Sequence, residues 1–157
     1  MSHKGEISRA ERRQLAVAAT SLGPWRTAAL VGSGGGAVSL VFSLIGGGVG
    51  LGAVAGALSV AMTLFLIVGG AGALVSGGRA DHRRIREWAA AHPWRVALVP
   101  GAAAVVGEVV IRQVLTAQDF FASLGSGLWQ GLVVTGVVGL VGRIVNARGG
   151  AKGIRGA

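Results

Sequence analysis

Glu108 and Arg112 are the only ionisable residues in an otherwise uncharged apolar run from Val96 to Leu115. Four positions apart, they share one face of a helix. A charge inside a bilayer costs several kcal/mol unless it is paired or hydrated, so such a residue is a functional-site hypothesis by default. Two chemistries compete. In one, Glu108 is a proton or cation site in a hydrated path. In the other, Glu108 and Arg112 form an i,i+4 ion pair near the outer interface, with the guanidinium snorkelling outward. Arg112 lies almost at the end of the run, which favours the ion pair. Gln113, Gln118 and Asp119 mark a partly wet face nearby. Gln130, the polar residue of the next apolar run, is expected to hydrogen-bond to Glu108 across a helix pair.

No other group offers chemistry of this kind. His3, His82 and His92 are scattered over basic or interfacial segments without metal-ligand spacing. Cysteine is absent, which removes thiolate nucleophiles, disulfides and cysteine metal sites together. Gly32-Ser-Gly34-Gly-Gly-Ala37 and Gly50-Leu-Gly52-Ala-Val-Ala55 fit G-x-G-x-x-A. A dinucleotide site also needs a preceding strand and an acidic residue about twenty positions on. Neither has that setting, and both read as packing glycines. The expectation is a non-enzymatic protein with no metal and no cofactor.

The elements that must position these side chains follow from hydropathy. The chain has 157 residues, of which 52% are hydrophobic and 13% charged; soluble domains carry about 25% charged. Ala28 to Gly78 is fifty-one residues without a charge, fifteen of them glycine. One helix of that length would run about 76 Å, whereas roughly 20 residues cross a bilayer core. The stretch is therefore two spans, about Ala28 to Ile45 and Gly50 to Leu74, joined at Gly46-Gly47-Gly48. Gly69, Gly70 and Gly72 are expected to loosen the end of the second. A third span is expected from Val96 to Leu115, kinked at Pro100, and a fourth from Ser123 to Gly142 after a turn at Thr116 to Ala122. The fold class is thus an all-α integral membrane protein with four transmembrane helices. Its segments are a basic amphipathic lead-in (1–27), a transmembrane hairpin (28–78), a basic loop (79–95), a second hairpin (96–142) and a basic tail (143–157) without regular structure.

The hairpins look alike. Pro24-Trp25-Arg26 and Pro93-Trp94-Arg95 lie 69 residues apart, each before an apolar run and after a basic segment. This predicts a parallel duplication of a Gly-rich hairpin, with Trp25, Arg26, Trp94 and Arg95 as interfacial anchors. Fourteen of the fifteen basic residues precede Thr27, lie between Arg79 and Arg95, or follow Gly142. By the positive-inside rule both termini are cytoplasmic, and the setting is a bacterial inner membrane. Arg12-Arg13 faintly resembles a twin-arginine export signal, but the apolar run far exceeds a signal peptide's, so the N-terminus is expected to be retained. The loop arginines Arg79, Arg83, Arg84 and Arg86 can meet anionic headgroups or a protein partner. Topology alone accounts for them, so nucleic acid is not required.

Small residues recur every four positions: Gly35, Ser39 and Ser43 in the first span; Gly48, Gly52 and Gly56 in the second; Ser123, Gly127, Gly131, Thr135 and Gly139 in the fourth. Such ridges let helix backbones approach in lipid, from the same chain or from a neighbouring copy, and a homo-oligomer is expected. A short chain, several glycine-rich spans, no catalytic residues and a basic C-terminal tail together resemble the general plan of phage holins. That resemblance implies a pore-forming or membrane-permeabilising protein, with Ser39, Ser43, Glu108, Gln113 and Gln130 toward a lumen. The alternatives are a docking subunit of a larger inner-membrane complex for conjugal DNA transfer or secretion, and a small proton-coupled transporter resting on Glu108.

Overall fold

The computed structural model describes residues 14, 23–75, 88–89 and 91–153. They form four long helices, α1 (Trp25–Ile45), α2 (Leu51–Val75), α3 (Pro93–Leu115) and α4 (Phe120–Gly153), with no strand among the described residues. The apolar spans are 21, 25, 23 and 28 residues long, and about 20 suffice to cross a bilayer. At most 33% of any span's apolar window is buried inside the protein. Leu30, Phe42, Ile45, Leu128 and Leu132 all point outward. Water-soluble monomers rarely expose contiguous apolar patches above a few hundred Å². This is the build of a multi-pass membrane protein.

The helix ends follow from local chemistry. α1 closes in a Schellman motif: the Gly48 N–H donates to Ser43 O at 2.9 Å and the Gly47 N–H to Leu44 O at 3.1 Å. Gly47 has φ +80°, a left-handed conformation that glycine adopts without a Cβ penalty. The second connection is shorter than the composition predicts, because Asp119 caps α4 early. Its carboxylate accepts the Phe121 N–H at 3.2 Å, satisfying one of the helix's orphan donors. α1 and α3 begin three residues earlier than expected, since the Trp-Arg pairs lie inside the first turn and not ahead of it. α4 continues through residues 146–153, where no regular structure is expected from composition. Ala147 and Arg148 are strong helix formers, and the two glycines that follow cost only about 1 kcal/mol each.

Consecutive helices run antiparallel, with α2 at the centre. α1 packs on α2 alone, whereas α3 and α4 pack on each other and each on α2. The core is Leu66, Ala97, Ala104, Val134 and Val138, supported by Met62 and Phe65. α3 passes through Pro100, whose buried ring lies against Gly70 where α2, α3 and α4 meet. Gly69, Gly70 and Gly72 therefore do not loosen α2. Each makes room for a ring: Trp25 over Gly69, Pro100 at Gly70 and Pro24 over Gly72.

Along α1 the buried positions are Ala28, Gly32 and Gly36, a register displaced from the Gly35, Ser39 and Ser43 ridge read from spacing. Gly32 faces Ala61 O, 2.7 Å from where a Cβ would sit, and Gly36 faces Ala57 O at 3.0 Å. Gly32→Val is expected to cost about 1–3 kcal/mol by overpacking and to release α1 from α2. Crosslinking between cysteines introduced in the two helices measures this. Gly34→Val, with nothing within 4 Å, is expected to leave that crosslink intact.

Candidate functional site

Ser59 and Thr63 are the only hydroxyl residues of α2, one helical turn apart. α2 presents them to α3 and α4, and they complete a partly buried polar cluster around Glu108. Glu108 is 1% exposed. Its Oε1 accepts the Arg112 Nε–H at 2.5 Å and its Oε2 accepts the Ser59 hydroxyl at 2.5 Å. Arg112, 30% exposed at its side chain, also donates from Nη1 to Gln118 Oε1 at 3.1 Å.

Gln130 does not reach Glu108 as expected from the sequence. Its amide donates to Ser59 O at 3.1 Å and to Thr63 Oγ1, so Ser59 is the link between the two. Gln113 lies outside the cluster as well, tying the end of α3 to Gln118 O at 3.1 Å and Ser123 Oγ at 3.2 Å. Among the described residues, no buried side-chain polar atom lacks a hydrogen-bond partner.

The cluster forms a line. From the α3–α4 connection it runs Gln118, Arg112, Glu108, Ser59, Gln130, Thr63. Glu108 is seven residues from the end of α3, about 10 Å along the axis. Thr63 is twelve residues from the start of α2, about 18 Å in from the same side. Past Thr63 the line meets the apolar layer of Leu66, Ala104 and Val134 and stops. Among the described residues, the polar line therefore enters from one end and does not continue to the other. The i,i+4 ion pair expected from the sequence forms, with Arg112 three residues from the end of α3 and the Glu108 carboxylate 1% exposed.

A cavity of about 410 Å³ opens onto this line. Glu108 and Arg112 of α3 form its floor; Ser59, Val60, Thr63 and Leu64 of α2 and Ser126, Trp129, Gln130 and Val133 of α4 form its flanks. The rim is apolar and outward-facing: Trp129 is 69% and Val60 38% exposed. No cluster of His, Asp or Glu suited to holding a metal occurs among the described residues.

The remaining candidates are dispersed. Arg79, Arg83, Arg84 and Arg86 lie outside the described residues. Arg26, Arg95 and Arg143 are exposed, all at the end opposite the two short connections. Trp25 is half-buried beside Phe65, ring centroids 5.2 Å apart, and Trp94 lies over Gly139; both tryptophans pack helices. Gly127 and Gly131 face Val105 and Gly101 of α3. Gly35 meets the end of the Leu64 side chain, and Gly48 belongs to the α1–α2 turn. Ser43 returns its hydroxyl to Ser39 O at 3.0 Å. Gly52 and Gly56 have no neighbour within 4 Å.

Ser59 and Thr63 are the members of the polar cluster that spacing rules missed. The available signal was their isolation as a hydroxyl pair four apart in an apolar helix. No protein-family model, curated protein or solved structure matches this chain.

Proposed function

We propose that this is a non-enzymatic multi-pass protein of a bacterial inner membrane, with both termini cytoplasmic, that binds a small polar or amphiphilic ligand in the cleft around Glu108. The observation that carries this reading is a carboxylate 1% exposed, held between Ser59 and Arg112, on the floor of a 410 Å³ cavity. Ligand sites commonly occupy roughly 300–1,000 Å³, are mostly apolar and carry a few placed polar groups. Exposed arginines at the end away from the cleft mouth support the orientation, since basic residues stay on the cytoplasmic side.

Contacts within each hairpin support the duplication. Pro24 and Trp25 cover Gly72 and Gly69, as Pro93 and Trp94 cover Gly142 and Gly139. Gly32 meets Ala61 and Phe65, as Gly101 meets Gly131 and Thr135. Equivalent positions are 69 residues apart in the first helices and 70 in the second.

Because cysteine is absent, single-cysteine labelling tests the cleft directly. Ser126→Cys is expected to react with a small polar thiol reagent, and Val133→Phe, which fills the cleft, is expected to abolish that reaction. Leu132→Cys, on the outward face of α4, sets the background. Reaction at Ser126→Cys no faster than at Leu132→Cys overturns the reading.

A second reading, a pore made by several copies, is favoured by one observation: Gly52 and Gly56 present an open small-residue face where another backbone can approach. Induced expression is then expected to depolarise the host membrane abruptly and admit an impermeant dye, and Gly56→Leu to prevent both. An intact membrane at high, correctly inserted expression removes this reading.

A further inference from the structure

The lining of the cleft changes along the helix axis. Arg112 lies three residues from the end of α3, about 4–5 Å in. Glu108 and Ser126 lie at about 9–11 Å, Val60 and Trp129 at about 13–14 Å, and Leu64 and Val133 at about 20 Å from the same side. The cavity is therefore polar near the mouth, where the Arg112–Glu108 ion pair lies, and mostly apolar at depth, over the length of a helix-parallel groove. Its deeper polar groups, Gln130 and Thr63, are already bonded to each other and ask nothing of a ligand. At the mouth the accounting differs. Arginine has five N–H donors; one of Arg112 goes to Glu108 and one to Gln118, and Nη2 meets no acceptor among the described residues.

Charge excludes the simplest occupants. A metal cation at Glu108 would face the guanidinium already paired with that carboxylate. A water-soluble anion would leave the apolar flanks of Leu64 and Val133 uncovered. The exposed rim, Val60 on α2 and Trp129 on α4, opens sideways, where acyl chains lie in a bilayer. We propose that the cleft binds one bilayer phospholipid, its anionic phosphate accepting hydrogen bonds from Arg112 and an acyl chain lying along Val60, Leu64 and Val133. This rests on the cleft being open, as argued above, and adds the class of its occupant. The guanidinium matches phosphate geometry with paired parallel donors, and chain burial supplies the remaining affinity without directional demands.

The test uses the full chain reconstituted in vesicles containing a trace of an anionic phospholipid with a photoreactive group in its acyl chain. Labelled peptides are mapped after irradiation and competed with the same lipid unmodified. Saturable labelling centred on Val60 and Trp129, reduced about tenfold by Val133→Phe (the change that 1.4 kcal/mol produces) and unaffected by Leu132→Phe, is the expected result. Helix content of each variant is measured alongside, so that a misfolded protein is not scored. Labelling spread evenly over outward-facing residues and unchanged by Val133→Phe overturns the lipid proposal. In that event, continued aqueous labelling of Ser126→Cys shows a cleft filled by water and leaves the parent reading standing. Failure of both experiments removes both.

Discussion

Placing leucine at position 131 is expected to destabilise the α3–α4 hairpin within one chain and not to loosen an assembly of copies. A Cβ on Gly131 would overlap the Val105 side chain and sit 2.8 Å from Gly101 O. Val105 can change rotamer, but the carbonyl belongs to α3's backbone and moves only if the helix moves. Gly127 compounds the constraint one turn away, with Val105 O at 2.9 Å. Overpacking a tight interior costs about 1–3 kcal/mol, occasionally more; a side chain driven against backbone belongs at the upper end. Equilibrium unfolding in mixed detergent, followed by far-ultraviolet circular dichroism, measures the loss. Gly56→Leu, where a side chain meets nothing within 4 Å, is expected to change stability by no more than about 0.5 kcal/mol. Equal stability of the two variants would show that α3 and α4 do not approach this closely. The comparison also guards the interpretation of leak assays. Loss of permeabilisation in Gly131→Leu reports on folding of one chain, whereas loss in Gly56→Leu reports on association.

Arg112→Ala is expected to destabilise the bundle by about 3 kcal/mol, near the lower edge of the cost of breaking a buried ion pair. Arg112 is 30% exposed, but Glu108 is 1% exposed and keeps only Ser59 when the guanidinium is removed. Adding Glu108→Gln to Arg112→Ala removes the uncompensated charge and is expected to restore most of the loss, because an amide can still accept from the Ser59 hydroxyl. A double-mutant cycle on the same unfolding measurement isolates the pair, and a coupling below about 0.5 kcal/mol would mean that the residues act independently. Ser59 deserves its own place in this cycle. Among the described residues it makes the one hydrogen bond from α2 to the α3 carboxylate, so its loss separates cleft geometry from charge balance.

Element number and order were legible because bilayer thickness and helix rise leave few ways to divide a 157-residue chain with long uncharged runs. The α1–α2 turn was legible for a similar reason, since three consecutive glycines are followed at once by a new apolar run. Packing register was not. Gly32 and Gly35 differ by less than one turn, and both begin plausible small-residue series; only α2's backbone decides that Ala28, Gly32 and Gly36 face inward. Glu108 was legible as exceptional from burial cost alone, yet its partner across the helix pair was not. Gln130 and Ser59 both have the reach to approach the carboxylate. The choice depends on rotation of α2 about its axis, for which weakly amphipathic apolar helices leave little trace in sequence. The end of α4 was concealed by composition, since glycine and arginine suit a tail and a helix extension alike.

The Pro-Trp contacts have a mechanical consequence. Each hairpin is joined at one end by its connection and latched at the other, Pro24 and Trp25 on α2 and Pro93 and Trp94 on α4. A pair of rods fastened at both ends resists splaying, so deformation concentrates between the hairpins, where the one ring over a described glycine is that of Pro100 at Gly70, away from the Glu108 cleft. That compliant seam lies between the hairpins, along the contacts of α2 with α3 and α4. The hydrogen bonds from Ser59 to Glu108 and from Gln130 to Ser59 and Thr63 cross it. A small rotation of one hairpin against the other would therefore change the width of the Glu108 cleft before it disturbed the packing within either hairpin.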